Sequence, residues 1–454
     1  MPPLGLLSLA AYARKHSPNV HVTIVDGAAQ SLSVPQTIER VVGLQPDVVG
    51  VTVTTMVAGI ANEIAKGVKK ASPSTKTVAG GPHISGVGPG CLSQLDAFDV
   101  AVTGEGEQTF VELLETFLTG AAIDNIAGIL CRSVNGQVLE TTGRQRLSDL
   151  DLLPLPAWDL LEAFPDAYGA NIFFSPKGPA ATLITSRGCP FNCAFCDQST
   201  FGHNYCAASP EYVYHAVRNL QQSYGIRYVI FCDDTFTIDR RRVLEICRAL
   251  GGLNPAVAWS CDANVMTVDR EMLAAMKSAG CWSISYGLES GSQNVLRSLN
   301  KRITLDNARQ AVHLTREAGI YAKGLFILGT PQESLDTIRD TQQFISSIPL
   351  STINISKFTP YPGTELYREV SSGLDAEYEQ LNGMNFLVPS KYLTVAQLEE
   401  QYGIMLRKFY HRIGAWTSHL PIILGCWDNI RRLASIVPMA ARAKIRRWTG
   451  TARC

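Results

Sequence analysis

Six short runs rich in β-branched and aromatic residues recur between residues 181 and 358: 181–186 "ATLITS", 227–233 "RYVIFCD", 256–261 "AVAWSC", 282–287 "WSISYG", 321–328 "YAKGLFIL" and 352–358 "TINISKF". Between them lie stretches with helical apolar spacing, at 209–224, 239–250, 268–279, 304–318 and 333–347. This alternation constrains the fold more than any other feature. Strands separated by a helix's length of chain do not pair as hairpins, and a crossover of this size joins parallel neighbours. Ser209-Pro210-Glu211 and Thr304-Leu305-Asp306 carry the hydroxyl, proline and acidic residues of helix starts. The expected unit is a partial (β/α)6 barrel over residues 181–370, with its chemistry at the carboxyl-terminal edge of the strands.

The first 140 residues alternate as well: helix 4–15, strand 20–25 "VHVTIV", helix 35–43, strand 47–53 "DVVGVTV", helix 57–70, strands 76–79 and 98–102, helix 107–118. This order predicts a doubly wound, flavodoxin-like α/β sheet, which binds ligands beyond the carboxyl ends of its strands. The loops at that edge are "TVTTM" (52–56), "AGGPHISG" (79–86) and "TGEGEQTF" (103–110). Their glycines and hydroxyls suit close approach by a large polar ligand. No G-x-G-x-x-G follows the first strand, which argues against a dinucleotide. Residues 141–180 read as a linker, and 371–454 as a helical C-terminal region in which 394–413 has helical apolar spacing.

At 454 residues and 46% hydrophobic, the chain suffices for two or three globular domains. Lys and Arg total 40, as do Asp and Glu, so bulk charge gives no footprint for nucleic acid. The chain opens without a charged leader and apolar core, and no apolar run nears 18 residues; neither secretion nor a spanning helix is expected. Twelve cysteines then point to a reducing, cytoplasmic setting rather than a disulfide framework. From 431 to 454 seven basic residues occur without an acidic one, with Trp427 and Trp448 nearby. Such a segment suits either peripheral contact with an anionic membrane surface or a solvated tail.

Three of the cysteines, Cys189, Cys193 and Cys196, fall within eight residues as C-x3-C-x2-C in "TSRGCPFNCAFC". Structural zinc would need a fourth ligand, from His203 or Cys206. An electron-transfer cluster would want four cysteines. A [4Fe–4S] cluster on three cysteines would leave one iron open to chelate a ligand. With Phe195 before the last cysteine and the strand-like "ATLITSRG" before the first, the stretch resembles the radical S-adenosylmethionine (radical SAM) superfamily. That resemblance implies that the open iron binds the amino and carboxylate groups of SAM, and that reduction cleaves SAM to a 5′-deoxyadenosyl radical. Asp233-Asp234 after "VIFC", "YGLESG" and "KGLFILGTPQES" are similar to further strand-end motifs of the family. They imply a cofactor site with Phe195, Asp233 and Ser290 beside it, Glu289 on the SAM ribose, and Gly324 and Gly329 along the adenine. Taken alone, an acidic residue after a strand is more often a helix cap.

At the N-terminus, "PPLGLLSLAAYARKH", "PDVVGVTVTT", "VAGGPHIS" and "VTGEGEQTF" resemble the cobalamin-binding domain that precedes the barrel in B12-dependent radical SAM enzymes. With the barrel, the resemblance covers residues 2–370. It implies a cobalamin site at Thr54, Thr55, Gly80, Gly81, His83, Gly104, Glu105 and Gly106. Two departures stand out. The D-x-H-x-x-G motif of a cobalt-ligating histidine is absent: "GPHISG" keeps His83 and Gly86 but has Gly81 where Asp would be, so His83 is not expected to ligate cobalt. The first strand of the domain, which in relatives precedes "PPLGLL", is missing. The implied activity is methylation of an unactivated carbon of a small-molecule or lipid substrate. The adenosyl radical would abstract hydrogen, methylcobalamin would give the methyl group, a second SAM would restore it, and a flavodoxin or ferredoxin would supply electrons. Oxidative cyclisation or rearrangement of a tetrapyrrole or lipid intermediate is the alternative in this architecture. A non-catalytic cobalamin- or zinc-binding regulator is the alternative of another class.

Overall fold

The computed structural model describes residues 2–133, 135–168, 178–374 and 377–411. In the N-terminal sheet β1 (Val48–Thr52), β2 (Lys76–Gly80) and β3 (Val100–Val102) are parallel, in chain order. They continue antiparallel into β4 (Ile129–Arg132) and β5 (Val138–Glu140). The β4–β5 hairpin is absent from the sequence reading, although its signal is present. Asn135-Gly136 sits between two apolar runs, and Gly136 turns with φ +77°, the conformation such a hairpin needs.

Among the described residues the expected strand 20–25 makes no ladder with any neighbour. Its alternation records one-sided burial instead. Val22 packs against the helix residues Ala13, Val111 and Leu114, and Ile24 reaches the core beside Trp158. One-sided burial produces a period of two whether or not a strand lies alongside. The helices fall close to expectation, at Leu4–His16, Val34–Gly43, Ala58–Ala71 and Glu107–Thr119. In Ala58–Ala71 the buried residues Ala58, Ala61, Ala65 and Val68 recur three or four apart, and Lys69 and Lys70 occupy the last turn, where cations suit the helix dipole.

The second sheet holds β6 (Ala180–Leu183) and, beyond a two-stranded ribbon of β7 (Ser186–Arg187) and β8 (Cys206–Ala207), β9 (Tyr228–Phe231), β10 (Ala258–Ala263), β11 (Cys281–Glu289), β12 (Tyr321–Leu328) and β13 (Thr352–Lys357). The six strands lie in the order β6-β9-β10-β11-β12-β13, every pair parallel. This is the partial barrel read from the alternation. The helices start on side-chain caps: Ser209, Asp239, Asp269, Thr304 and Ser334 each accept the backbone N–H three residues on. Each cap closes a βα loop, so five loops at the barrel mouth end on a fixed point.

One continuous core joins the regions. Leu7 and Ala10 of the first helix, Trp158 and Tyr168, barrel residues such as Val229 and Ile284, and Leu398, Met405 and Phe409 of Val395–Tyr410 share one buried cluster. The stretch read as a linker is therefore core-forming through Ala157, Trp158, Leu161 and Tyr168. Among the described residues no helix is long and apolar enough to cross a membrane. Trp427, Trp448 and the basic stretch 431–454 lie outside the described residues.

Candidate active site

The cysteine loop leaves β7 through Gly188, whose φ of +80° and contact with Asn204 O leave no space for a Cβ. It then folds on itself: Cys189 N–H donates to Gly202 O at 3.3 Å, Cys196 N–H to Cys193 O at 3.1 Å, and Gln198 Nε2 to Phe191 O at 2.8 Å. Ala194 N–H donates to Leu299 O at 3.0 Å, tying the loop to the barrel mouth. Enclosure by the barrel mouth raises the Cys193 thiol and, together with the nearby Asp234, pushes Cys196 to about 12 although the Cys196 residue itself is exposed. Thiols held in that state become anions when a metal takes up the charge.

Among the described residues no three His, Cys, Asp or Glu side chains converge tightly enough for a single ion. Zinc requires all its ligands within a bond length of one centre; a cubane spreads its thiolates over several irons. The proposed fourth zinc ligands are elsewhere: Cys206 Sγ donates to Ser148 O at 3.4 Å, and His203 is exposed. Three cysteines without a fourth ligand beside them fit an iron–sulfur cluster with one open iron.

Asp233 stands under this loop rather than in it. Only 1% exposed, it accepts Thr185 N–H, Thr185 Oγ1–H and Ser186 Oγ–H, each at 2.6 Å. Arg242 Nη2 donates to Thr185 O at 2.9 Å from the other side. Both carboxylate oxygens are taken up in fixing the end of β6, and Asp233 has none free for a cofactor. Its neighbour Asp234 is exposed and close enough to raise Cys196.

Glu289 closes β11 where the register against β12 shifts, at φ +60°. A non-glycine residue held there is strained, and such outliers gather at functional sites. Its Oε1 accepts from Lys301 Nζ at 3.0 Å in a buried pair, and Lys301 lies 5.9 Å from the centre of the Phe195 ring. Glu289, Phe195 and the cysteines thus come together, and Lys301 joins them. Lys301 is missed by the sequence reading because it follows a short helix, Gln293–Ser298, that no periodicity announced.

Ser290, Gly324 and Gly329 are placed differently. Ser290 is 1% exposed, bonded to Thr341 Oγ1 at 3.1 Å and accepting Ser292 N–H, so its hydroxyl is consumed by packing. A Cβ on Gly324 would strike Leu350 and Phe326, and one on Gly329 would strike Phe386. Their smallness is required by neighbouring side chains. Gly329 N–H also donates at 2.9 Å to Glu333, a carboxyl that burial pushes up to about 7.

Below Glu289 the register aligns Asp262, Ser285, Lys323 and Thr352 across β10–β13, with Ser260, Ser283 and Tyr321 one row deeper. Barrel interiors usually hold bulky branched residues in such layers. Here the rows are small or ionisable; desolvation by the surrounding barrel raises the Asp262 carboxyl, although that residue is exposed to the open mouth, and lowers the Lys323 ammonium. The alternation of β12 carries this pattern: Lys323, Leu325 and Ile327 are half-exposed while Ala322, Phe326 and Leu328 are buried.

The strand-end loops of the first sheet abut this mouth. Gly86 lies against Pro362 O and Asp197, Gly104 against Thr200 O. Gly104 N–H donates to Ser85 Oγ at 2.9 Å, so the 79–86 and 103–110 loops support one another. Gly81, at φ +116°, passes so close to the Val53 backbone that a Cβ would lie 2.8 Å from its oxygen. Thr54 is exposed at this edge; Gly80 and Gly106 are half-buried. Glu105 is not available as a ligand contact. Its carboxylate accepts from Arg187 Nη1 at 3.0 Å and from Leu147 N–H at 2.7 Å.

His83 is 1% exposed, with Nδ1 3.3 Å from Thr55 Oγ1 and its ring edge-on to Tyr378. Thr55 supplies the orienting partner that Gly81 cannot, yet among the described residues Nε2 is buried without a partner. Burial lowers the imidazole to about 4, so it is neutral near pH 7. Thr200 Oγ1 and Arg146 Nε and Nη2 are likewise buried without partners among the described residues, beside Gly104 and Gly202 respectively. Unpaired donors around a glycine-lined edge fit cobalamin, whose periphery is amides and a phosphate.

The family model of the radical SAM superfamily matches residues 183–345, and that of the B12 binding domain residues 1–114. A protein of Pyrococcus horikoshii named as an uncharacterized methyltransferase is 32% identical over 413 residues, covering 90% of this chain and 87% of that protein. The anaerobic magnesium-protoporphyrin IX monomethyl ester cyclase of Rubrivivax gelatinosus is 27% identical over 415 residues, covering 90% of this chain and 74% of that one. In fold, the chain is similar to a radical SAM methyltransferase from Kitasatospora setae solved with cobalamin and a [4Fe–4S] cluster. The TM-score is 0.68 at 16% identity, covering 82% of this chain and 72% of that one.

Proposed function

Because this chain belongs to the radical SAM family with an N-terminal B12-binding domain, we propose that it methylates an unactivated carbon of a small-molecule or lipid substrate. The observation that carries this reading is the meeting of three parts at one mouth: the cysteine loop, the Glu289–Lys301 pair, and the strand-end loops of the first sheet. When bound, the cluster and SAM supply a reductively generated radical, and cobalamin supplies the methyl group. Cys189, Cys193 and Cys196 would hold the cluster. Glu289 would accept from the ribose hydroxyls, with Lys301 holding its carboxylate in place through their ion pair. Thr54, Gly81 and Gly104 would let cobalamin approach. The Asp262–Ser285–Lys323 row would bind and orient polar groups of the substrate. Oxidative cyclisation of a tetrapyrrole or lipid intermediate is the second reading, favoured by similarity to the Rubrivivax cyclase. We place the protein in the cytoplasm, fed by a flavodoxin or ferredoxin, with the basic tail as a peripheral membrane contact.

Anaerobic reconstitution tests the reading. About four irons per chain, binding of hydroxocobalamin, and 5′-deoxyadenosine release that depends on reductant are expected. Stoichiometric zinc without iron uptake would favour a non-catalytic regulator. A second measurement concerns His83. Since Nε2 is enclosed beside Tyr378, the Co(II) electron paramagnetic resonance spectrum is expected to lack nitrogen superhyperfine splitting, and His83→Ala to retain cobalamin. Splitting that disappears in His83→Ala would show ligation.

A further inference from the structure

Arg187 lies two residues before Cys189 and bonds to the loop that opens the helix Glu107–Thr119. Its Nη1 donates to Glu105 Oε1 at 3.0 Å and its Nη2 to Glu107 Oε1 at 2.5 Å. All three residues are buried, at 8%, 7% and 5% exposure. Every oxygen of the two carboxylates has a donor: Leu147 N–H reaches Glu105 Oε2, Ser8 Oγ–H reaches Glu107 Oε1, and Arg187 Nη1 also lies 3.3 Å from Glu107 Oε2. Phe201 of the cysteine loop stacks beneath the guanidinium, 5.2 Å away. Two carboxylates against one guanidinium leave a net negative charge in the interior. Apolar contact would join two domains without that desolvation cost. A planar fork gripping two carboxylates fixes direction as well as contact.

We propose that Arg187, with Glu105 and Glu107, is a positioning clamp that holds the cobalamin-domain loop 103–107 in one orientation against the cysteine loop, and so sets the separation of the two cofactors. This rests on the proposed placement of cobalamin and cluster. The clamp acts through backbone it fixes at both ends. On one side Gly104 and Gly106 flank Glu105; on the other, Gly188 carries the chain from Arg187 into Cys189. Methyl transfer and radical formation use one substrate carbon in turn, so a loosened clamp lowers productive coupling while each cofactor still binds.

The test uses the loaded full chain. Glu107→Gln keeps the shape and brings the triad to neutrality, so it is expected to fold and to bind iron and cobalamin in wild-type amounts. With the cluster reduced and cobalamin as Co(II), the dipolar enhancement of Co(II) spin relaxation is expected to fall several-fold and the cobalt–cluster distance distribution to broaden. Arg187→Lys keeps the charge but not the fork, and should broaden the distribution in the same way. Arg40→Ala removes the exposed Arg40–Glu162 pair and serves as the control, with an unaltered distribution. Wild-type relaxation in fully loaded Glu107→Gln and Arg187→Lys overturns the clamp, and so does a change confined to melting temperature. Failure of the unaltered chain to load iron or cobalamin overturns the functional reading instead.

Discussion

Single replacement of Cys189, Cys193 or Cys196 by Ala is expected to abolish iron retention and SAM cleavage in anaerobically reconstituted protein. In the proposed cluster each thiolate would be the sole cysteine ligand of one iron, and the neighbouring cysteines are held elsewhere. Cys206 is held by Ser148 O and the β7–β8 ribbon, and Cys232 continues β9. Cys206→Ala and Cys232→Ala are therefore expected to assemble the cluster normally. Iron content and 5′-deoxyadenosine release check both halves. A Cys193→Ala protein that kept its full iron would refute the assignment.

The second large effect is at the Glu289–Lys301 pair. Glu289→Gln should weaken SAM binding by roughly 1.5–3 kcal/mol, about ten- to a hundredfold, while the cluster is retained. Lys301→Met should do something different. It leaves a carboxylate buried at the barrel mouth without its cation, which costs on the order of 3–5 kcal/mol of stability. The double variant Glu289→Gln/Lys301→Met removes the stranded charge, so its melting temperature should recover while SAM binding stays weak. Denaturation and SAM titration separate the two outcomes. Wild-type SAM affinity in Glu289→Gln would take Glu289 out of the site.

How far the site could be read in advance depended on the kind of residue. The cysteines were readable because cluster ligation needs that residue type at that spacing, whatever surrounds it. Glu289 stood out through its motif, but its pairing with Lys301 did not, since the pair spans a register shift and a short helix. Asp233 and Ser290 look like ligands in the sequence because a polar residue after a strand has two uses. Only packing distinguishes them: Asp233 receives three donors from β6 and β7 neighbours, and Ser290 meets Thr341. Glu105 illustrates the same ambiguity, since nothing in "TGEGEQTF" says that Arg187, eighty-odd residues on, will claim its carboxylate.

The sequence by itself determined the alternation of strands and helices, the parallel six-stranded sheet, most helix starts and the cysteine trio. These follow from local causes: apolar periodicity, crossover length, capping side chains and ligand spacing. The tertiary structure alone decided which polar groups remain free. It left 20–25 without a partner strand among the described residues, drew the 141–168 stretch into the core through Trp158 and Tyr168, and bound the cysteine loop to the first sheet through Arg187. Those outcomes depend on contacts between residues far apart in the chain. Burial and hydrogen bonding there are set by the neighbours that folding brings up, which no local pattern encodes.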